Sequence, residues 1–238
     1  MTAAPDPSPA VAPRKSLRPN FRLIFLSIAI GVLALWSFAA LMLLALRFID
    51  PPTTALHIER RFQAFLHHKP YSERYRFVPL NQISLDFQHA VIAAEDARFY
   101  QHHGFDWQQI QIAAEDDMEG GRSRGASTIT QQLVKNLFFG TQRSFLRKGA
   151  EATLVPVAEL VLGKQRILEL YLNVVEWGPG VYGAEAASRY HYDTAARNID
   201  REQGARLAAI LPSPLKRRPE RMNHYADLIL ERMRQMGW

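Results

Sequence analysis

Cysteine is absent from all 238 residues, which excludes disulfides and every cysteine-ligated zinc site. The histidine doublets His67-His68 and His102-His103 lack the i,i+4 spacing of a helical zinc pair, so no protein-ligated metal site is expected. No series of alternating apolar and polar residues marks out a sheet, and no internal repeat is present. An all-α fold is therefore expected. Acidic residues are the scarcer sign, 23 against 29 Lys and Arg, leaving a formal charge of +6. That balance suits an anionic partner, whether nucleic acid, membrane surface or phosphorylated substrate, without choosing among them. With 47% apolar and 22% charged residues, the chain is globular in composition, with one domain and a tail as its natural organisation.

What the middle of the chain lacks, the region 23–46 has. Leu23 to Leu46 carries no charge over 24 residues, reaching roughly 36 Å as a helix, enough to span a bilayer core of about 30 Å. Small residues at Ser37-Phe38-Ala39-Ala40 admit a cleaved signal peptide, but the run exceeds the usual length of a signal h-region. Arg14, Lys15, Arg18 and Arg22 precede it and favour a cytoplasmic N-terminus, although Arg47, Arg60 and Arg61 follow. Residues 1–22, with Pro5, Pro7, Pro9, Pro13 and Pro19, read as a disordered basic cytoplasmic tail. The expected organisation is that tail, a transmembrane helix at 23–46 stopped by Pro51-Pro52, and an extracytoplasmic domain at 47–238.

Within that domain Ser84 is placed to cap a helix through Phe87, Val91 and Ala94 that ends near Glu95-Asp96, and Asp106 to cap another through Trp107, Ile110 and Ala113. The glycine-rich stretch from Glu119 to Gly125 reads as a loop. Ser127 then opens a helix with Ile129, Leu133, Leu137 and Phe138 to bury. A long helical pattern from Phe145 to Leu162 is interrupted by Pro156 and Gly163. Ile167, Leu168, Tyr171 and Leu172 form another apolar face, Gly178, Gly180 and Gly183 a turn, and 184–192 and 205–211 two more helices, the latter closed by Pro212 and Pro214.

Four segments carry chemistry. Glu95 follows the apolar run Ala90-Val91-Ile92-Ala93-Ala94, a setting that raises a carboxyl pKa toward the range of a general base; an arbitrary Glu at a helix end is more often merely solvated. Ser127, Gln131 and Lys135 recur at four-residue spacing and would share a helix face, with free N–H groups at the helix start adding an anion site. The competing reading has Ser127 as a plain N-cap and the glutamines as surface. Arg143-Ser-Phe-Leu-Arg147-Lys148-Gly-Ala-Glu151 offers a cationic cluster with a carboxylate, although Arg147 and Glu151 at i,i+4 are also what a surface ion pair looks like. Glu169 and Asn173, also i,i+4, could brace the active-site helices by hydrogen bonds. Ser213-Pro-Leu-Lys216 fits the S-x-x-K pattern but has flanking prolines and no K-T-G after it, so no transpeptidase domain is expected. Lys216, Arg217, Arg218 and Arg221 read as a solvated basic turn.

Together these segments resemble the motifs of the peptidoglycan glycosyltransferases of glycosyltransferase family 51, particularly the monofunctional membrane-anchored ones. Glu95, Asp96, Phe99, His102, Gly104 and Asp106 match the first motif, Gly125 to Asn136 the second with Ala126 where glycine is frequent, and Arg143 to Glu151 the third. Lys164 to Asn173 and Ala208 to Pro214 resemble the fourth and fifth, with Leu162-Gly163 and His191-Tyr192 departing from the usual pairs. The resemblance covers about Gln82 to Pro214. It implies a lysozyme-like, two-lobed domain that polymerises lipid II into β-1,4 glycan with inversion and release of undecaprenyl pyrophosphate. It implies Glu95 and Glu151 as catalytic carboxylates, and Asp96, Phe99, His102, Ser127, Gln131, Gln132, Lys135, Asn136, Arg143, Arg147 and Lys148 as substrate-binding residues. It leaves room for a divalent cation, Mg or Mn, on the substrate pyrophosphate. It places the chain in the bacterial inner membrane with a periplasmic domain, lipid II and glycan as partners, cell-wall synthesis or division proteins as further ones, and no nucleic acid. The alternative is a lytic transglycosylase or muramidase, which needs a protonated acid but no cationic clamp; a catalytically silent scaffold is a third reading.

Overall fold

A computed structural model describes residues 20–118, 125–142 and 144–238. Two compact units are distinguished, Met1–Ser37 and Phe38–Trp238. The described part of the first belongs to α1 (Phe21–Leu46), whose large side chains there, among them Phe25, Ile28, Leu33 and Leu35, are exposed. Its 26 residues make about 39 Å of helix. Among the described residues it is the one helix long and apolar enough to cross a membrane. The glycine-rich loop expected at 119–125 and the basic tail lie almost wholly outside the described residues.

The second unit continues with α2 (Ala55–Leu66), β1 (Arg74–Tyr75), α3 (Leu85–Glu95), α4 (Trp107–Met118), α5 (Ile129–Phe138), α6 (Phe145–Val174), β2 (Glu176–Gly178), β3 (Val181–Tyr182), α7 (Ala184–Tyr192), α8 (Arg201–Ile210) and α9 (Asn223–Gln235). The all-α expectation stands, since 67% of the described residues are helix and 3% strand. The strand fraction is one small sheet of order β1-β3-β2, with β1 parallel and β2 antiparallel to β3. The glycines read as a turn supply its hairpin. At Gly183 φ is +84°, and a Cβ there would stand 2.5 Å from the Asn173 carbonyl oxygen, so only glycine fits.

Local capping explains the helix starts. The Ser84 hydroxyl accepts from the Phe87 amide and an Asp106 carboxylate oxygen from the Gln109 amide, as expected. One expectation needs correction. The N-cap of α5 is Thr128, not Ser127: its hydroxyl accepts from the Gln131 amide while the Gln131 side chain accepts from the Thr128 amide. A threonine followed three residues later by glutamine makes a reciprocal capping box, which outcompetes a lone serine one residue earlier. The long helix α6 is broken where glycine permits it. Gly163 takes φ 72°, ψ 164°, so α6 is two helices end to end.

Helix α3 is the centre of the core, with Phe87, Ala90, Val91, Ile92 and Ala93 all buried. It packs on α8 and α9, and α5 packs on α6 and α2. Small residues let α8 approach closely: a Cβ on Gly204 would lie 3.1 Å from the Phe87 Cα. The second half of α6 buries Ile167, Leu168, Leu170, Tyr171, Leu172 and Val174. Glu169 and Asn173 on α6 brace the segment entering α3, the helix that ends in Glu95. The Asn173 amide pairs with both backbone groups of Val78, and Glu169 accepts from the Leu80 amide at 2.7 Å.

His57 on α2 is fully buried, its ring centroid 3.9 Å from that of Tyr182 and edge-on to Tyr75 at 4.9 Å. Burial pushes its pKa from 6.5 down to about 4, with the Glu73 carboxylate pulling the other way. The unfolded chain therefore binds a proton here at a pH where the folded chain does not, so stability is lost as pH falls from about 6.5 toward 4. The expected loss is about 3 kcal/mol across that window. In urea unfolding at pH 7.5 and 4.5, His57→Phe should show a correspondingly smaller drop than the wild type.

Candidate active site

Glu95 ends α3 at the point where α3, α5 and α6 meet. Its Oε2 accepts from Gln132 Nε2 at 2.7 Å, and Gln132 Oε1 accepts from the Tyr171 hydroxyl at 2.9 Å. Tyrosine at one end and carboxylate at the other fix the amide orientation, since only Nε2 can donate to Glu95. Burial pushes the Glu95 carboxyl above its ordinary pKa, while the Gln132 hydrogen bond and the charges of Lys135 and Arg217 act in the opposite direction. Tyr171 is fully buried, which raises its hydroxyl pKa further and keeps it a donor.

Lys135, one turn beyond Gln132, faces both carboxylates. Burial lowers its pKa; Glu151, then Glu95, oppose that, and Arg147 and Lys148 reinforce it. Glu151 is buried on the first half of α6, in an ion pair with Arg147 and with Lys148 Nζ 3.7 Å away. Lys135, Arg147 and Lys148 thus lie around Glu151, with Lys148 half-exposed. Arg217, read from sequence as part of a solvated turn, is partly buried; it donates to the Ala209 carbonyl at 2.8 Å and its charge reaches Glu95. Nothing local in the sequence marks it, because its approach to Glu95 depends on the packing of α8 against α3. Arg143 lies outside the described residues.

Other expected site residues are engaged internally. Asp96 Oδ1 accepts from His102 Nε2 at 2.9 Å, and Asp96 Oδ2 from the Ile129 amide at 3.0 Å. His102 Nδ1 accepts from the Gly104 amide, which leaves Nε2 as the protonated nitrogen. The Thr128 hydroxyl donates to the Gly104 carbonyl at 2.6 Å. Phe99 is fully buried with Lys164 Nζ 4.5 Å over its ring, and Lys164 pairs with Glu159. Gln131 and Lys135 lie four apart on α5 as expected, but Ser127 precedes the helix and Gln131 is engaged in the capping box; Gln132 is the glutamine that reaches Glu95. Asn136 is buried on α5. Asp96, His102 and Asp106 lie together, but Asp96 and Asp106 already accept from the Ile129 and Gln109 amides, and Arg98 lies 3.6 Å from Asp106. The cluster is the lock between the 96–106 segment and the start of α5.

Asp96→Ala would strand two buried donors, the His102 ring N–H and the Ile129 amide. It should cost about 2–4 kcal/mol, read as a fall in the thermal unfolding midpoint, with Asp96→Asn losing less because it keeps an acceptor.

Comparison of the amino-acid sequence with known proteins supplies the family. The transglycosylase family profile covers residues 62–234. The chain is 46% identical over 211 residues to the biosynthetic peptidoglycan transglycosylase of Pseudomonas putida (strain W619), spanning 86% of this chain and 89% of that protein. It is 45% identical over 200 residues to the protein of the same name from Pseudomonas entomophila (strain L48), spanning 82% and 85%. Against that from Pseudomonas fluorescens (strain SBW25) it is 47% identical over 176 residues, 74% and 73% of the two chains. With the profile extending from α2 into α9 and identity of this order over most of each relative, the chain belongs to the transglycosylase family.

Proposed function

We propose that this chain is a peptidoglycan glycosyltransferase of cell-wall biosynthesis that extends β-1,4 glycan from lipid II. The observation that carries the reading is the setting of Glu95: a desolvated carboxylate held by Gln132, facing Lys135, which in turn faces Glu151, Arg147 and Lys148. The acceptor 4-hydroxyl attacks the donor anomeric carbon, its proton passing to Glu95. The new C–O bond forms as the anomeric bond to the undecaprenyl pyrophosphate oxygen breaks, and the bonding pair leaves with the diphosphate. Attack opposite the leaving group inverts the centre.

A diphosphate leaving group needs neutralisation more than protonation. Lys135, Arg147 and Lys148 supply it, with Arg217 as a further cation near the base. Glu151 holds Arg147 and Lys148 in place. Glu151 is thereby occupied and Glu95 is kept for the acceptor proton, so a divalent cation at this site would be held by the substrate phosphates. A cutting enzyme of the muramidase kind would also use a raised glutamate, but has no use for three cations around Glu151. The apolar helix α1 fits a membrane anchor that keeps the isoprenoid tail in lipid, and the basic residues before it fit an N-terminus on the cytoplasmic side of the inner membrane.

With labelled lipid II and detergent-purified protein, wild type should make glycan and Glu95→Gln should lose about 10²–10⁴-fold in kcat. Equal rates would remove Glu95 from the chemistry, and cleavage of preformed glycan without polymerisation would favour the cutting reading. The pH profile is a second check. The base works ionised, so the acid limb of kcat/KM should lie above pH 4.5, where burial has moved Glu95. The cation works protonated, so the alkaline limb should lie below pH 10.5, where burial has moved Lys135. Lys135→Arg, which holds its charge to higher pH, should shift that alkaline limb upward and leave the acid limb in place.

A further inference from the structure

One polar chain outside the site ends at the junction of its two cation-bearing helices. Glu59, on α2, accepts from the Thr141 amide and from the Thr141 hydroxyl, each at 2.5 Å, and from Gln63 Nε2 at 2.9 Å. Gln63 Oε1 accepts from Arg60 Nη1 at 2.9 Å, and Arg60 forks onto Glu176 of β2, Nη2 lying 2.8 Å from Oε2 and Nε 3.1 Å from both oxygens. Glu176 is buried, so the far end of the chain is fixed in the sheet.

The near end is built just as closely. Helix α5 closes with the Phe139 and Gly140 amides both donating to the Lys135 carbonyl, at 2.9 and 3.0 Å. Gly140 then turns at φ +70°, and a Cβ there would stand 2.1 Å from Glu59 Oε2. Only glycine allows the carboxylate to reach Thr141. Three donors converge on Glu59, and an ionised carboxylate is the side chain that accepts from all of them at once. Thr141 sits between the helix that carries Gln132 and Lys135 and the helix that carries Arg147, Lys148 and Glu151.

We infer that Glu59 is a positioning residue for the diphosphate clamp: through Thr141 it sets the spacing between Lys135 on α5 and the Arg147–Glu151 pair on α6, with Gln63 and Arg60 fixing it to the sheet. The inference rests on the proposed role of those cations in holding the lipid-linked diphosphate. It needs no contact between Glu59 and substrate. The catalytic base is tied separately, through Gln132 and Tyr171, so Glu59 governs donor binding more than the chemical step.

The test uses the full chain in detergent. Glu59→Ala should raise KM for lipid II about tenfold, the equivalent of one charge-assisted hydrogen bond, with kcat changed much less and activity normalised to folded protein. Glu59→Gln keeps one acceptor oxygen and should fall between; Gln63→Leu, which cuts the link to Arg60 without touching Thr141, should reproduce part of the loss. Hydrogen–deuterium exchange gives a readout independent of turnover. In Glu59→Ala, faster exchange should extend from 139–142 into 145–151, with residues 85–95 unchanged. Wild-type KM in Glu59→Ala, or faster exchange confined to 139–142, would overturn the inference. A wild type that makes no glycan while exchange still spreads into α6 would sink the diphosphate reading and support the positional link.

Discussion

The hydrogen bond from Gln132 to Glu95 is the constraint on which the rest of the site depends. It joins the end of α3 to the middle of α5, and through the Tyr171 hydroxyl to the buried half of α6. Burial makes an ionised Glu95 costly, and a single oriented amide with nearby cations recovers part of that cost. A carboxylate in this balance can change protonation state within a working pH range, whereas one either fully solvated or fully paired cannot. The core packing of α3 against α8 and α9 serves this end, because it fixes where the last residue of α3 stands.

The same logic separates two kinds of polar residue that the motifs present side by side. Asp96, His102, Thr128 and Gln131 direct their polar atoms at backbone or at one another, and so hold the 96–106 segment against the start of α5. Glu95 at the end of α3 and Lys135 on α5 keep their charges facing each other, with Gln132 fixed between Glu95 and the Tyr171 hydroxyl. Neighbouring positions in one motif thus divide into lock and chemistry according to the partner each side chain meets.

Much of this was legible from sequence where the cue was local. Ser84 and Asp106 capped the helices they were expected to cap, the limits 184–192 came out as read, and Gly163 interrupted its helix as expected. Ser127 misled because Thr128 with Gln131 forms a stronger local cap, which engages Gln131 and leaves Gln132 as the glutamine that reaches Glu95. The helices α2 and α9 carry no such cue: α2 mixes Glu59, Arg60 and Arg61 with its apolar residues, and α9 follows a proline-rich basic turn. Arg217 and Glu59 were beyond sequence reasoning altogether. Each meets its partner across a long stretch of chain, and neither carries a local pattern that distinguishes it from a surface charge.

The break at Gly163 has a consequence for how this protein can vary. In an unbroken helix, inserting one residue rotates everything beyond it by about 100°, so a change near the clamp would turn the core face of α6 toward solvent. A non-helical glycine between the two halves removes that coupling of phase. Leu154, Val155 and Ala158 set the buried face of the half that bears Arg147, Lys148 and Glu151, and Ile167, Leu168 and Tyr171 set that of the other half, each with its own helical phase.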